Sequence, residues 1–212
     1  MKSLAYDEIK RRILTTEIAP GARIREDLIA EELQISRTPV REAVNQLIID
    51  GFIISLPRRG VYCIELTEDD INNILDVRCS LEVLAVRDCV RHMTEKNFQK
   101  MVEVNSLFKR SVDIGDIDEI SKNDNEFHRL LADFSQNMML IKLLGQVRDF
   151  VKLIWATESI RTKPQINEVS GEEHDELLEC IRSKDIARGQ AIIYNHVGLL
   201  TVKPSEYTLL SS

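Results

Sequence analysis

The first 66 residues contain three short helix-forming segments followed by a hairpin pattern, and this order of elements limits the fold more than any other feature. The predicted helices span about residues 3–16, 27–33 and 37–49, and the predicted strands span 52–56 and 61–64. Pro20 stops the first segment, Ser36 offers an N-cap for the third, and Gly51 closes it. Three helices followed by a hairpin predict a winged helix.

The rest of the chain shows helical periodicity only, with no strand pattern and no repeat. Thr67 offers an N-cap, and the acidic residues after it favour a helix start because they lie at the positive end of the helix dipole. The predicted helices span about residues 68–92, 95–113, 117–134, 138–160, 171–183 and 185–201. The predicted fold class is mostly α: a winged helix-turn-helix in residues 1–66, an all-α helical bundle of about six helices in residues 67–203, and a flexible tail in residues 204–212.

Composition agrees with a helical protein and places the negative charge in the second domain. Hydrophobic residues make up 43% and aromatic residues 5% of the chain, and no apolar run approaches the roughly 18 residues of a membrane span. The net charge is −7, yet residues 1–66 hold ten Lys/Arg and ten Asp/Glu, against 18 and 25 in residues 67–212. We therefore expect a cytoplasmic protein without membrane contact. With no Cys-x-x-Cys spacing, the cysteines are predicted to be buried thiols: Cys63, Cys79, Cys89 and Cys180.

The start of the third predicted helix is basic. In a helix-turn-helix this end enters the major groove of DNA, where its residues meet base edges. Arg37 and Arg41 are four residues apart and share one face, so their guanidinium groups could reach guanine or phosphates. The wing tip, Arg58-Arg59-Gly60, would lie over the minor groove or the backbone, with glycine allowing close approach. The alternative for both helix arginines is a solvated face paired with Glu31 or Glu42.

Five stretches of the first domain carry a family pattern. They are Ala19 to Ile24, Leu28 to Leu33, Ser36 to Ala43, Asp50 to Phe52 and Arg58 to Val61. Together they resemble the DNA-binding domain of the GntR family, and the resemblance implies DNA contacts by Arg37, Thr38, Arg41 and Gly60. Gln34 stands where that family usually has glycine, so we expect a left-handed backbone at Gln34, at a cost of roughly 1 kcal/mol.

Three of the four histidines and one aspartate have a spacing that suits a metal ion. Asp124 and His128 lie four residues apart on one predicted helix, so their side chains share a face. His174 opens a later helix, and His196 lies near the end of the last one. One carboxylate and three imidazoles suit Zn, Ni, Mn or Fe. Spacing alone leaves open the alternative that these are ordinary surface or core residues.

The segments around these residues also carry a family pattern. They are Asp124 to Leu130, Ser135 to Asn137, Glu173 to Glu179, and His196. They resemble the FCD effector domain found in one branch of GntR regulators, over residues 68–201. The resemblance implies that the aspartate and the three histidines bind a divalent metal. His92 matches no part of the pattern and is expected to be exposed.

Arg78 lies within the apolar stripe of the first helix of the second domain, so we expect it to point inward and to need a partner. Glu82, one turn away, is one candidate partner, and an anionic ligand is the other. The family resemblance favours the ligand, because an arginine at this position commonly faces a carboxylate effector. Arg148 is a weaker effector candidate that we expect to pair with Asp149 or solvent, and Trp155 is expected in core or rim packing.

These features predict a sequence-specific transcriptional regulator rather than an enzyme. We expect a homodimer that binds double-stranded DNA at a palindromic operator, with half-sites about one DNA turn apart. A small organic acid of carboxylate type, bound in a helical pocket that contains metal, would change operator binding. Two alternatives are a metal-responsive regulator in which the ion is the signal, and a metal-dependent hydrolase, which no His-Glu-x-x-His motif supports.

Overall fold

The computed structural model describes residues 2–157 and 164–198, and these form two compact units that divide after Thr67. The predicted tail, residues 204–212, lies outside the described residues, as do residues 158–160 and 199–201 at the ends of two predicted helices. Among the described residues, no helix combines the length and the apolar character needed to span a membrane.

The first unit contains three helices and a two-stranded antiparallel sheet. They are α1 (Lys2–Leu14), α2 (Glu26–Glu32), α3 (Arg37–Ile49), β1 (Ile53–Leu56) and β2 (Gly60–Cys63). Ile9 and Ile13 lie one turn apart on α1, which packs against α3, and they are buried together with Val44 and Leu47 of α3. Because this apolar face of α3 is occupied, its polar face is the one left for a partner.

The hairpin is held to the rest of the first unit by backbone hydrogen bonds. Its strands pair in antiparallel register from Ile53 with Cys63 to Leu56 with Gly60. The chain before α2 runs along the other edge of β2, where the Ile24 N–H donates to the Val61 carbonyl at 2.9 Å and the Cys63 N–H donates to the Ala22 carbonyl at 2.8 Å. An isolated two-stranded hairpin is marginally stable, so these bonds help to fix the wing.

The second unit, as far as it is described, consists of helices alone. They are α4 (Glu68–His92), α5 (Glu95–Ile114), α6 (Ile117–Phe134), α7 (Met138–Ala156), α8 (Pro164–Ser183) and α9 (Ile186–Gly198). The side chains of Thr94, Asp116 and Asn137 cap α5, α6 and α7 by accepting the backbone N–H three residues further on, at 3.1–3.3 Å. The predicted fold class, a winged helix-turn-helix followed by an all-α helical domain, is confirmed.

Two predicted helix boundaries were wrong. α8 begins at Pro164, not near Gly171, and proline is well suited to the first position of a helix because its fixed φ is helical and its missing N–H has no partner there. α7 ends at Ala156, because Thr157 takes an extended conformation, whereas the prediction continued to residue 160.

The helices of the second unit surround one interior. α9 packs against α4 and α8, α5 against α6 and α8, and α7 against α4 and α6. Much of the interior is an apolar cluster that includes Met101, Phe127 and Leu131. The same interior also contains six polar side chains that are at most 5% exposed: Arg78, Glu82, Asp124, His128, His174 and His196. Burying so many ionisable groups is costly unless they are paired or bind an ion.

Candidate nucleic-acid interface and metal centre

The N-terminal end of α3 presents the residues predicted to contact DNA. Arg37, Thr38 and Arg41 are exposed, whereas Val40 and Val44 are buried. Within the described part of the chain, neither arginine forms an ion pair, so the alternative pairing with a neighbouring glutamate is not observed. Both guanidinium groups keep their donors available for a partner. Their contact with DNA stays a prediction.

The turn before α3 has the backbone expected from the sequence. Gln34 has φ of 54°, which confirms the left-handed conformation predicted at a position where the family usually has glycine. The Ile35 N–H donates to the Ala30 carbonyl at 3.0 Å, which closes the end of α2. The turn therefore forms with glutamine, but in a conformation that costs an L-residue free energy.

The wing tip is exposed and basic. Arg58 takes φ of 62° in a turn closed by the Arg59 N–H, which donates to the Leu56 carbonyl at 3.0 Å. Gly60 has φ of 110°, and a Cβ added there would lie 3.3 Å from Nε of Arg23. Glycine is thus required by the backbone itself as well as favouring close approach to a partner.

The predicted metal ligands meet at one point inside the second unit. α6 carries Asp124 and His128 on one face, α8 carries His174 and α9 carries His196, and one ligand atom from each lies within 4.8 Å of the other three. Nε2 of His128 lies 3.0 Å from Nε2 of His196, and Oδ1 of Asp124 lies 3.6 Å from Nε2 of His128 and 3.8 Å from Nε2 of His174. Four donors that converge in this way are a suitable set for a divalent transition metal.

The other nitrogen of each imidazole has an oxygen partner that fixes the ring. Nδ1 of His128 bonds Oε2 of Glu82, Nδ1 of His174 lies 3.1 Å from Oδ1 of Asn105, and Nδ1 of His196 lies 2.9 Å from Oε2 of Glu173. When the Nδ1–H of each ring donates a hydrogen bond to this oxygen, Nε2 keeps its lone pair. This is the tautomer that binds a metal through Nε2, and such partners orient ligating histidines in metal sites.

Two ligand atoms at the centre have no hydrogen-bond partner in the described residues. They are Nε2 of His174 and Oδ2 of Asp124, both fully buried. A buried polar atom without a partner costs about 1–3 kcal/mol. A cation bound at the centre would give Nε2 of His174 a partner and would offset the charge of the buried Asp124 carboxylate, so the residues present fit a divalent metal.

The charges around the centre also favour a cation. Burial lowers the pKa of His128, but the charge of Glu82 outweighs burial and raises it, so His128 favours a positive charge at its ring. Burial raises the pKa of Glu82, but protonated His128 and Arg78 outweigh burial and hold it at about 2. A metal bound at Nε2 would take the place of the imidazole proton as the positive charge. Burial likewise raises the pKa of Asp124, and His128 and Arg78 bring it below its usual value. Burial lowers the pKa of His174 well below that of an ordinary histidine, with His196 adding to the effect, so its neutral, ligating form is favoured.

Arg78 has both a protein partner and a free donor. Its Nε donates to Oε1 of Glu82 at 2.6 Å, and its Nη2 lies 4.0 Å from Oδ2 of Asp124. Its Nη1 is buried and has no partner among the described residues. The two alternatives from the sequence are therefore compatible, because Glu82 occupies one side of the guanidinium and leaves Nη1 for a ligand.

Two further interior donors lie on α7. Of the two partners expected for Arg148, Asp149 or solvent, Asp149 forms no ion pair with it among the described residues. Asp149 accepts from Lys152 at 3.4 Å, and Nη1 of Arg148 is buried without a partner in the described chain. Trp155 is packed, as expected, at 9% exposure, and its Nε1 likewise has no partner. His92 is exposed and the four cysteines are buried and free, as predicted.

Sequence reasoning missed the residues that hold the imidazoles. Glu82 was considered only as a partner of Arg78, and Asn105 and Glu173 were not assigned to the site. A signal for two of them exists: Glu82 and Asn105 are polar residues within the buried stripes of α4 and α5, as Arg78 is. Glu173 gives no such signal. It is the neighbour of His174 in sequence, but its partner in the structure is His196 on another helix.

The first unit has the fold of the winged helix-turn-helix domains with which many transcriptional regulators bind DNA. The family model described as bacterial regulatory proteins, gntR family, matches residues 2–63, and the FCD domain model matches residues 73–199. The chain belongs to the GntR family and carries an FCD domain after its DNA-binding domain. It is a DNA-binding transcriptional regulator and not an enzyme.

Relatives of known sequence and structure agree with this assignment. The uncharacterized HTH-type transcriptional regulator YdhC of Bacillus subtilis is 30% identical over 184 residues, which cover 85% of this chain and 80% of the relative. The gluconate operon transcriptional repressor of Bacillus subtilis is 31% identical over 189 residues, covering 87% and 76%. The structure of Escherichia coli McbR/YncC has the same fold, with a TM-score of 0.75 at 22% identity over 94% of this chain and 96% of that one.

Proposed function

We propose that this regulator binds a palindromic operator as a homodimer, and that a small carboxylate bound beside a divalent metal in the FCD domain changes its operator affinity. The observation that carries the proposal is the convergence of Asp124, His128, His174 and His196, all buried, with their ligand atoms directed at one point. A helical domain that has no catalytic task and contains such a centre is suited to bind a signal.

DNA recognition is assigned to α3 and the wing. Arg37, Thr38 and Arg41 would meet base edges and phosphates in the major groove, and Arg58, Arg59 and Gly60 would meet the minor groove or the backbone. The support is the exposure of the four arginines and Thr38, together with the lack of an ion pair at Arg37 and Arg41 in the described residues. Two copies related by a two-fold axis would match a palindrome with half-sites about one DNA turn apart.

The charge balance of the centre supports a divalent ion in particular. Three carboxylates, those of Glu82, Asp124 and Glu173, contact the histidine cluster, and among the described residues the guanidinium of Arg78 is the one permanent cation in contact with them. With neutral imidazoles the group carries a net charge of −2, which a divalent metal would neutralise. Zn, Ni, Mn and Fe all accept this ligand set.

The effector is assigned by Arg78. Its unpartnered Nη1 is a buried cationic donor, which a carboxylate would satisfy by a charge-assisted hydrogen bond. A carboxylate placed there could also complete the coordination of a metal held by Asp124, whose Oδ2 is 4.0 Å from the same guanidinium. The relative that represses a gluconate operon is consistent with this class of signal, since gluconate is itself a carboxylate.

A second candidate is that the ion itself is the signal. The ligands come from three helices, α6, α8 and α9, so binding of the ion would hold these helices together. In that case no organic acid would be needed to change operator affinity. The two candidates make different predictions for one experiment.

The test is an operator titration with and without metal and acid. Duplexes selected from a random library on the protein serve as operator, and affinity is measured at one fixed salt concentration. We expect a small carboxylate to change the affinity of metal-loaded protein and to have no effect after chelation. If chelation alone changes the affinity and no acid adds to it, the ion is the signal and the proposed carboxylate effector is wrong.

A further inference from the structure

α7 carries two buried N–H donors for which the described residues provide no acceptor. They are Nη1 of Arg148 and Nε1 of Trp155. Trp155 is 9% exposed. Arg148 forms no ion pair with the described residues, although Asp149 beside it does. Neither donor is used by the metal centre or by the proposed contact of Arg78 with a carboxylate.

The two donors share the inner face of α7. Seven residues, or about two helical turns, separate Arg148 from Trp155, so both side chains leave the helix on the same side. Val151, between them on that side, is 1% exposed. α7 packs against α4, which carries Arg78, and against α6, which carries the first two metal ligands. The donors therefore lie on the face of α7 that is turned towards the domain interior.

Charges on both neighbouring helices act on Arg148. Burial lowers its pKa, and so does the guanidinium of Arg129 on α6. The carboxylates that raise it are those of Asp133 on α6, Glu82 on α4 and Asp149 on α7 itself. Glu82 is the residue that bonds both Arg78 and His128. One of the charges that act on Arg148, that of Glu82, therefore belongs to the metal centre.

The unpartnered atoms define the chemistry of a ligand. Five buried side-chain atoms lack a partner in the described chain: Nη1 of Arg78, Oδ2 of Asp124, Nη1 of Arg148, Nε1 of Trp155 and Nε2 of His174. Two of them belong to the metal ligands, and the other three are donors that accept nothing. Two of these donors are guanidinium groups, which favour carboxylates over neutral acceptors.

We propose that Arg148 and Trp155 form a second subsite of the effector pocket, which binds a second carboxylate, so that the effector is a small dicarboxylate rather than a monocarboxylate. The proposal rests on the proposed function, in which Arg78 and the metal bind the first carboxylate. Arg148 supplies the charge for the second one, and the indole N–H of Trp155 donates one further hydrogen bond.

The chain provides its own probe of this subsite, because Trp155 is its single tryptophan. Zinc-loaded protein is titrated with the straight-chain dicarboxylates from malonate to adipate, each compared with the monocarboxylate of equal carbon number. We expect at least one dicarboxylate to bind about tenfold or more tightly than its matched monocarboxylate, because the monocarboxylate lacks one charge-assisted hydrogen bond. That acid should also change the emission of Trp155 more than the monocarboxylate does.

Variants on α7 locate the effect. Arg148→Gln should bring the affinity for the dicarboxylate down to that for the monocarboxylate. Trp155→Phe should lower the affinity for the dicarboxylate alone, and because this variant lacks the fluorescent probe, its binding is measured by the shift in thermal midpoint. Lys152→Gln is the matched control, because Lys152 is an exposed cation on the same helix, and it should leave both affinities unchanged. If Arg148→Gln fails to fold, the ligand pairs on the wild-type protein still decide.

The outcomes separate this inference from the proposed function. Equal binding of each acid pair, with Arg148→Gln like wild type, would overturn the second subsite and leave the carboxylate effector intact. Binding of no carboxylate at all would overturn the carboxylate effector itself. A third outcome is that gluconate, which has one carboxylate and neutral hydroxyl groups, binds more tightly in a way that depends on Arg148, whereas no dicarboxylate does. This would show that the group bound by Arg148 is not a carboxylate.

Discussion

Nε2 of His128 lies 3.0 Å from Nε2 of His196, while Nδ1 of each ring faces a carboxylate, Glu82 in one case and Glu173 in the other. When both Nδ1 atoms donate to these carboxylates, two lone pairs face each other across the centre. This arrangement is unfavourable without a positive charge between the rings. Metal binding is therefore expected to contribute directly to the stability of the FCD domain.

Removing two ligands should remove the metal. The double substitution His128→Ala and His174→Ala leaves Asp124 and His196, too few donors to hold a transition metal tightly. We expect bound metal to fall from about one ion per protomer to nearly none by elemental analysis, and the thermal midpoint to fall as well. A ligand present at 1,000 times its Kd contributes about 4 kcal/mol to folding. His92→Ala, which changes an exposed histidine, is the control, and full occupancy in the double variant would refute the site.

A chain of hydrogen bonds runs from the surface to His174. Nζ of Lys109 donates to Oδ2 of Asp175 at 2.6 Å, Nδ2 of Asn105 donates to Oδ1 of Asp175 at 2.7 Å, and Nδ1 of His174 lies 3.1 Å from Oδ1 of Asn105. Asp175 thus fixes which end of the Asn105 amide faces the imidazole. Asn105 is a positioning residue that keeps Nε2 of His174 free for a metal.

Asn105→Leu keeps the size of this side chain and removes its acceptor. We expect metal affinity to fall about 10–100-fold, measured by competition with a chelator of known affinity, with the fold retained. Gln99→Leu removes an exposed amide from the same helix and should have no effect. Unchanged metal affinity in Asn105→Leu would show that the hydrogen bond to His174 does not position the ligand.

Helical periodicity was sufficient to predict the elements but not all of their ends. The α3 boundaries follow from Ser36 and Gly51, two residues whose local conformations mark helix ends. The start of α8 could not be recognised in the same way, because Gly171 resembles a break when taken alone. In the structure Gly171 is helical and buried, and a Cβ there would lie 3.2 Å from Cγ of Lys109. Its role is close packing of α8 on α5.

The metal centre could be predicted only in part for a related reason. Asp124 and His128 are neighbours on one helix, so their spacing is informative, whereas His174 and His196 reach the centre through tertiary packing. Their assignment depended on the family resemblance. The residues that orient the imidazoles come from other helices and from long separations, such as Asn105 and His174, so no local pattern pairs them.

Gln34 is expected to limit the stability of the DNA-binding unit. Its φ of 54° is a conformation that glycine adopts at little cost and other residues do not. Gln34→Gly should therefore raise the free energy of unfolding by about 1 kcal/mol, which corresponds to roughly 2–4 °C in the midpoint of a chain of this size. Asn45→Gly, at an exposed position inside α3, should instead lower it by roughly a few tenths of a kcal/mol. A lower midpoint for Gln34→Gly would show that its side chain stabilises the turn.

Arg41 provides the sharpest test of the proposed DNA interface. It is exposed on the outer face of α3 and has no ion pair within the described residues, so Arg41→Ala should leave the thermal midpoint unchanged. If Arg41 bonds a guanine, we expect operator affinity to fall by about 1–3 kcal/mol and specificity to relax at one base pair. If it bonds a phosphate, affinity should fall for all DNA sequences. The slope of log affinity against log salt concentration should then become shallower by about 1. Arg110→Ala is the control, because it removes an equal charge from the FCD domain. Operator affinity is measured by gel-shift titration. If both variants bind the operator as wild type does, Arg41 has no role in DNA binding.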